Sequence, residues 1–295
     1  MEEPPQSNKP EPPGESLATR VISSVVGVAI LGFIMWVGLP LVVPALIFLL
    51  WLGSAELRDM LAKRGIELNM TFLRGGGLLV LVFSYPPLSA QYPGIPWREI
   101  ALGLVLIGAF SYELLNGANI PRFAYSLMAF LYLPWTLGYF LLLRYHPYDD
   151  TLGIWTLTLP LLATFATDVG AYFIGRFFGR NKLAPTISPG KTVEGSIGGI
   201  LGSFVVLLIY TSIVRHFYPE SAFSLLRPLE LFVFSLLLSL AAQLGDLTES
   251  MLKRYCGVKD SGSFLPGHGG LLDRMDSVLF AVPLAYYLLA IFYPI

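Results

Sequence analysis

The residues that could do chemistry are concentrated near the C-terminal end of the sequence, in the run 250–276. Only 13% of the chain is charged, yet this run holds eight side chains that can carry charge: Lys253, Arg254, Lys259, Asp260, His268, Asp273, Arg274 and Asp276. Five glycines and one proline interrupt helix formation between two apolar segments and let backbone amides approach a ligand. Cations, carboxylates and accessible backbone together indicate phosphate and metal chemistry.

Acidic residues on the two flanking apolar segments have the spacing of a metal site. Asp246, Glu249 and Lys253 recur at intervals of three and four, so they lie on one helix face, which must line a polar cavity rather than contact lipid. Asp273 and Asp276 begin the next apolar segment. If the two helices are antiparallel neighbours, we expect these four carboxylates to bind Mg²⁺ shared with nucleotide phosphates, with a second metal ion left open. The alternatives are a buried ion pair that only fixes helix packing and, at Asp273 and Asp276, charge compensation of a helix N-terminus.

A second group of polar residues precedes this run. Its helical part presents one face with Asp168, Tyr172, Gly175 and Arg176. The loop that follows is cationic. For Arg180 and Lys182, the positive charge that cytoplasmic loops ordinarily carry is as good an explanation as phosphate binding. Lys191 differs, because it stands in Ser-Pro-Gly-Lys-Thr-x-Glu, and we expect it to bind phosphate. Phosphate or metal binding is also expected of Arg176, Ser188 and Thr192.

Gly190-Lys191-Thr192 is not interpreted as a P-loop. Pro185 stands where that pattern requires glycine, and the strand–loop–helix context is missing.

The run 250–276 reads Ser-x-Leu-Lys-Arg-x4-Lys-Asp-x-Gly-x2-Leu-Pro-x-His-Gly-Gly-Leu-x-Asp-Arg-Met-Asp. This pattern resembles the signature of the phosphatidate cytidylyltransferases, also called CDP-diacylglycerol synthases. The segment around Lys191 is also similar to that family, which widens the match to roughly residues 164–277 with gaps. The resemblance implies a membrane enzyme of phospholipid synthesis that converts CTP and phosphatidate to CDP-diacylglycerol and pyrophosphate.

For this reaction we expect two overlapping sets of residues. The predicted catalytic set is Asp246, Lys253, Asp273, Arg274 and His268. The predicted substrate-binding set is Arg176, Ser188, Lys191, Thr192, Lys253, Arg254, Lys259, Asp260 and Arg274. A phosphomonoester has its second pKa at about 6, so phosphatidate is already a dianionic nucleophile at neutral pH. His268 is therefore expected to donate a hydrogen bond or support the loop rather than to act as a base.

Two other functions stay open. A CTP-dependent kinase of the dolichol or phytol kinase type would transfer the γ-phosphate to a lipid alcohol and would need a base near that hydroxyl. A transporter could also place carboxylates beside broken helices, but transporters bind near the bilayer midplane and usually contain internal repeats. We find no such repeat here.

The composition indicates a polytopic membrane protein that must position these residues. The chain has 295 residues, of which 55% are hydrophobic, whereas soluble domains carry about 25% charged residues. A single Cys excludes an internal disulfide or a multi-thiolate zinc site. The net charge of -1 gives no sign of nucleic-acid binding.

Apolar windows long enough to cross a bilayer predict an all-α fold with about nine spans. They lie at about 19–38, 40–62, 76–93, 97–116, 123–144, 153–178, 196–217, 228–254 and 271–293. This arrangement places 15 of the 19 Lys and Arg residues on one side. The positive-inside rule then puts the N-terminus and the site in the cytoplasm and the C-terminus on the opposite side, in a bacterial-type inner membrane.

Three regions follow from this pattern. Residues 1–16 are predicted to be a disordered, Pro-rich cytoplasmic tail, and 17–150 a scaffold of about five spans. Polar residues of this scaffold, such as Glu56 and Glu113, are assigned to helix ends, where charge costs little. Residues 151–295 form the catalytic region, with about four spans and two charged cytoplasmic loops.

Glycines at 195, 198, 199 and 202 predict close helix packing. A homodimer in the lipid bilayer could use the glycine-rich or N-terminal spans.

Overall fold

The fold is a bundle of helices with one small hairpin. The computed structural model describes residues 27, 29–85, 91–92, 94–145, 150–219, 227–264 and 269–292. Residues 29–37 form helix α1. The helices that follow are α2 (Leu39–Ala62), α3 (Met70–Phe83), α4 (Trp97–Leu115), α5 (Ile120–Tyr132), α6 (Pro134–Arg144), α7 (Asp150–Phe178), α8 (Val193–Phe217), α9 (Pro228–Cys256) and α10 (Leu272–Phe292).

Within the part of the chain that the structure describes, six segments are long and apolar enough to cross a membrane. They are Leu39–Ala62, Ile120–Arg144, Gly153–Phe178, Val193–Phe217, Pro228–Cys256 and Leu272–Phe292. Backbone amides and carbonyls cannot be left unpaired in hydrocarbon, so an apolar chain of this kind satisfies them inside helices. The predicted class, a mostly helical polytopic membrane protein, is confirmed.

The third predicted span, 76–93, was wrong in its position. Helix α3 begins at Met70, because the side chain of Asn69 accepts a hydrogen bond from the Phe72 amide at 3.0 Å. The helix ends at Phe83, so it has 14 residues. It is therefore shorter than the length of about 20 residues that a perpendicular span needs.

The purely helical prediction also missed a hairpin between α7 and α8. Strands β1 (Lys182–Ala184) and β2 (Ser188–Thr192) are antiparallel, with Lys182 opposite Thr192 and Ala184 opposite Ser188. The hairpin places the segment that contains Lys191 between the end of α7 and the start of α8.

Glycines allow α7 and α8 to approach closely, as predicted. A Cβ atom on Gly170 would lie 2.5 Å from the carbonyl oxygen of Gly198, and one on Gly202 would lie 2.8 Å from that of Ala166. Real Cβ atoms do not approach backbone oxygen atoms so closely, so only glycine fits at these positions.

Helices α9 and α10 are antiparallel neighbours, which confirms the arrangement assumed in the sequence analysis. Phe234 lies against Phe292 with ring centroids 5.3 Å apart, and Lys253 lies against Asp273. Between these contacts, Gly245 is in tight contact with the backbone of Asp276. The close approach at Gly245 brings the acidic residues of both helices into one region.

Candidate active site

A polar cavity of about 480 Å³ lies where α7, the hairpin, α8 and α9 meet. Its lining includes Asp168, Tyr172, Arg176, Lys191, Ser196 and Asp246. Aromatic, cationic and acidic side chains thus face one space between membrane helices. Acidic and cationic side chains in one lining suit an anionic ligand that enters together with a cation.

The central contact of this cavity is an ion pair between the hairpin and α9. The Lys191 ammonium nitrogen lies 2.6 Å from a carboxylate oxygen of Asp246, and the two side chains are 24% and 31% exposed. The ammonium nitrogen of Lys191 is nevertheless buried against Asp246, so a ligand would have to displace this contact to reach it. The structure thus brings together two residues to which the sequence analysis gave separate roles, phosphate binding for Lys191 and metal binding for Asp246.

Two further carboxylates surround this ion pair. Asp276 lies within Coulombic range of Asp246 and Asp168, and Asp168 lies within range of Lys191. Asp168, Asp246 and Asp276 therefore repel one another, and Asp168 and Asp246 share the positive charge of Lys191. Asp168 was not among the predicted metal ligands, although its shared helix face with Tyr172 marked it as a polar residue of this segment.

The other two predicted metal ligands lie around a different cation. The Lys253 ammonium group forms ion pairs with Glu249 and with Asp273, the latter at 2.6 Å. Glu249 is fully buried. The second oxygen of Asp273 accepts hydrogen bonds from the Gly270 amide at 2.8 Å and from the Ser261 amide at 2.9 Å. Of the four predicted ligands, Glu249 and Asp273 thus share Lys253, whereas Asp246 pairs with Lys191 and Asp276 interacts electrostatically with both groups.

The hairpin is held in place at both of its ends. The Thr192 hydroxyl accepts a hydrogen bond from the Gly195 amide at 3.1 Å and so caps α8. The Glu194 carboxylate accepts a hydrogen bond from the Arg180 amide at 3.0 Å. The Arg254 guanidinium donates to the Ile187 carbonyl at 3.3 Å. Thr192 and Arg254, which we expected to bind substrate, thus contact the protein's own backbone in this structure.

The remaining predicted residues lie around the cavity or on the loop before α10. The Arg176 guanidinium donates to the Tyr172 hydroxyl at 2.6 Å at the cavity wall. Lys259 and Asp260 are exposed on the loop, and Arg274 is exposed in the first turn of α10. Ser188 lies in β2. His268 lies outside the described residues.

A divalent cation would fit the cavity only together with a ligand. Among the residues that the structure describes, no three His, Cys, Asp or Glu side chains form a ready metal site. Mg²⁺ is usually held by one or two carboxylates plus substrate phosphates and water. The pair Asp246 and Asp276, with Asp168 beside it, is consistent with that mode of binding.

Comparison with known proteins agrees with the resemblance seen in the motifs. The chain matches the cytidylyltransferase family over residues 18–292. It is 36% identical over 282 residues to a phosphatidate cytidylyltransferase of Bacillus subtilis (strain 168), covering 92% of this chain and 97% of that protein. It is 33% identical over 296 residues to one from Synechocystis sp., covering 94% and 97%. The similarity therefore includes the N-terminal half, and the chain belongs to the cytidylyltransferase family.

Proposed function

We propose that this enzyme transfers the cytidylyl group of CTP to phosphatidate in the cavity beside Lys191 and Asp246. The products are CDP-diacylglycerol and pyrophosphate, as the names of its relatives imply. The observation that carries this proposal is the Lys191–Asp246 contact, 2.6 Å long, in a polar cavity between membrane helices. A lipid headgroup can reach such a cavity from the bilayer, while CTP reaches it from water.

In the reaction, an oxygen of the lipid phosphate attacks the α-phosphorus of CTP. The bond from that phosphorus to the bridging oxygen of the β-phosphate breaks, and its electrons leave with pyrophosphate. No strong base is needed, because the attacking phosphate is already ionised. The residues of the cavity act by positioning and by neutralising charge. Lys191 and Arg176 line it and are suited to bind phosphate oxygens.

The positive charge of Lys191 is shared between Asp246 and a bound substrate in this proposal. A triphosphate entering the cavity would compete with Asp246 for the ammonium group. Its arrival would free the Asp246 carboxylate for another cation. Electrostatic contacts of this kind are stronger in a cavity shielded from bulk water.

Mg²⁺ is the proposed metal cofactor, held by Asp246 and Asp276 together with substrate phosphates. When bound, it would supply positive charge to the phosphates of CTP and the leaving pyrophosphate. Glu249 and Asp273 are less suited as ligands, because both pair with Lys253, Asp273 also accepts hydrogen bonds from two backbone amides, and Glu249 is fully buried. Their proposed contribution is to hold α9 and α10 together beside the cavity.

The proposed topology has about nine spans, with the N-terminus and the cavity mouth on the cytoplasmic side. The unequal distribution of Lys and Arg supports it, and six candidate spans are present in the described residues. Its bacterial relatives favour the inner membrane. Exposed apolar residues along α8, such as Leu201 and Val205, leave a surface for lipid or for a second copy of the chain.

The test is the fate of each phosphate of CTP. Purified protein in lipid vesicles that contain phosphatidate and a lipid alcohol such as dolichol is incubated with CTP labelled at either the α- or the γ-phosphate. Label from the α-phosphate should enter the lipid, and label from the γ-phosphate should leave as pyrophosphate. Transfer of the γ-label to a lipid alcohol would instead support the lipid kinase. Transport without transfer of either label would refute both enzyme functions.

A further inference from the structure

A buried carboxylate from the N-terminal half of the chain contacts the segment that precedes α10. Glu56, near the end of α2, is 6% exposed. Its two carboxylate oxygens accept hydrogen bonds from the Leu271 amide at 2.8 Å and the Leu272 amide at 2.9 Å. The sequence analysis assigned Glu56 to a helix end with little energetic cost, and this assignment was wrong because the side chain is buried.

These contacts supply hydrogen-bond acceptors to backbone amides at the start of α10. The first amides of a helix have no partner within the helix and carry a partial positive charge. Glu56 supplies acceptors for two of them from a helix more than 200 residues earlier in the chain. Burial of an ionised carboxylate is costly unless it is paired or hydrogen-bonded. Glu56 can therefore be accommodated only while this segment stays in place.

A serine hydroxyl connects Glu56 to Asp273. The Ser261 oxygen lies 3.1 Å from the carboxylate of Glu56 and 2.9 Å from that of Asp273. Asp273 in turn contacts Lys253, which is paired with Glu249. A continuous polar network thus leads from α2 to the acidic residues of α9 and α10.

Two glycines make room for the Glu56 side chain. A Cβ atom on Gly262 would lie 2.7 Å from a Glu56 carboxylate oxygen, and one on Gly270 would lie 2.8 Å from the same atom. Neither glycine has a positive φ that would by itself demand glycine. Space for the carboxylate is therefore a sufficient physical reason for glycine at 262, whereas at 270 a Cβ atom would also overlap the Ser261 hydroxyl and the Gly262 backbone nitrogen.

We propose that Glu56 is a positioning residue of the active site. It fixes residues 261–262 and 270–272, and through Ser261 it holds Asp273 and Lys253 in their places beside Asp276. Asp276 is the link to the cavity, because its backbone packs directly against Gly245, the residue that precedes Asp246 on α9. The kinetic consequence of this inference rests on the proposed function, whereas the structural consequence does not.

The experiment compares Glu56→Gln with Glu113→Gln. Glu113 is equally buried, at 5% exposure, but its oxygens pair with Arg122 at 2.9 and 2.7 Å within α4 and α5. In Glu56→Gln, the new side-chain NH₂ group would face a backbone N–H, donor against donor. We expect this variant to lower kcat by about 10- to 100-fold with little change in the KM for CTP, as loss of positioning does. Glu113→Gln should leave kcat within about twofold.

A second measurement does not depend on activity. Lys259 is exposed on the loop, so trypsin cleavage after it reports how often the loop opens. We expect Glu56→Gln to accelerate this cleavage about tenfold or more and Glu113→Gln to leave it nearly unchanged. Should the wild-type protein fail to make CDP-diacylglycerol, the proposed function would be rejected while this measurement still tests the role of Glu56.

Gly262→Ala provides a variant with the Glu56 carboxylate intact. The added methyl group should displace the carboxylate and reproduce the lower kcat and the faster cleavage. In a double-mutant comparison, Glu56→Gln and Ser261→Ala should lower kcat by less than the product of their separate effects, since both act on Asp273. Normal kcat and normal cleavage in both Glu56→Gln and Gly262→Ala would overturn the proposal.

Discussion

The ammonium nitrogen of Lys191 lies 2.6 Å from a carboxylate oxygen of Asp246, and this contact joins the hairpin to α9. One residue comes from a strand and the other from a membrane helix, so neither element alone could form the site. Because both side chains border the cavity, a change at either residue should alter catalysis more than folding.

The first prediction separates a binding lysine from ordinary loop charge. Lys191→Ala removes the cation that lines the cavity, and we expect kcat/KM for CTP to fall by about 100-fold or more, the loss typical of a phosphate-stabilising group. Lys182→Ala removes an exposed lysine from the other strand of the hairpin and should change kcat/KM by less than about threefold. Steady-state assays with varied CTP measure both. Equal losses of kcat/KM would mean that Lys191, like Lys182, contributes only to the positive charge that cytoplasmic loops ordinarily carry.

The second prediction concerns the stability of the Lys253 network. Lys253→Met leaves the buried Glu249 and Asp273 carboxylates without their cation, and breaking a buried pair in this way costs about 3–5 kcal/mol. We expect a clearly lower unfolding temperature in detergent solution. Arg58→Ala is the control, because Arg58 and Asp59 form an exposed pair with side chains 48% and 64% exposed. Similar unfolding temperatures for the two variants would show that the Lys253 network does not stabilise the fold.

The membrane class and the pairing of α9 with α10 could be predicted from the sequence, because the signals for both lie within short stretches of the chain. Long apolar segments need about 20 residues to cross a bilayer, and such segments are visible without a structure. Asp246 and Asp273 were also recognisable, since a carboxylate in an apolar helix needs a polar environment. Helical spacing gives the direction of a side chain, however, and not its partner. It could not show that Lys253 pairs with Asp273 while Asp246 pairs with Lys191.

Contacts between distant parts of the chain were the least predictable. Glu56 gives no local signal of its role, because its partners Leu271 and Leu272 lie at the start of the last helix. The hairpin was missed for a similar reason, as two short strands are hard to recognise in a chain dominated by long apolar helices. Asn69 could have been found, because Asn is a favoured residue just before a helix.

The third prediction tests the close packing of α7 and α8. Gly170→Ala places a methyl group 2.5 Å from the Gly198 carbonyl oxygen, so the helices must move apart, and overpacking of this kind typically costs about 1–3 kcal/mol. A Cβ atom on Gly103 in α4 meets no atom within 4 Å, so Gly103→Ala should be neutral or slightly stabilising. Thermal unfolding compares the two variants. A Gly170→Ala protein as stable as the wild type would show that the helices tolerate a wider separation.

The last prediction addresses the metal ion. Activity should be lost with EDTA and restored by Mg²⁺, because Asp168, Asp246 and Asp276 at or beside the cavity would otherwise repel the phosphates of CTP. Asp276→Asn removes one of these charges, and we expect it to raise the Mg²⁺ concentration for half-maximal activity by on the order of tenfold. Asp59→Asn changes a carboxylate on α2 whose side chain is 64% exposed, so it is the matched control and should leave that concentration unchanged. Equal Mg²⁺ requirements in the two variants would place the metal away from Asp276, and full activity in EDTA would remove the metal from the reaction.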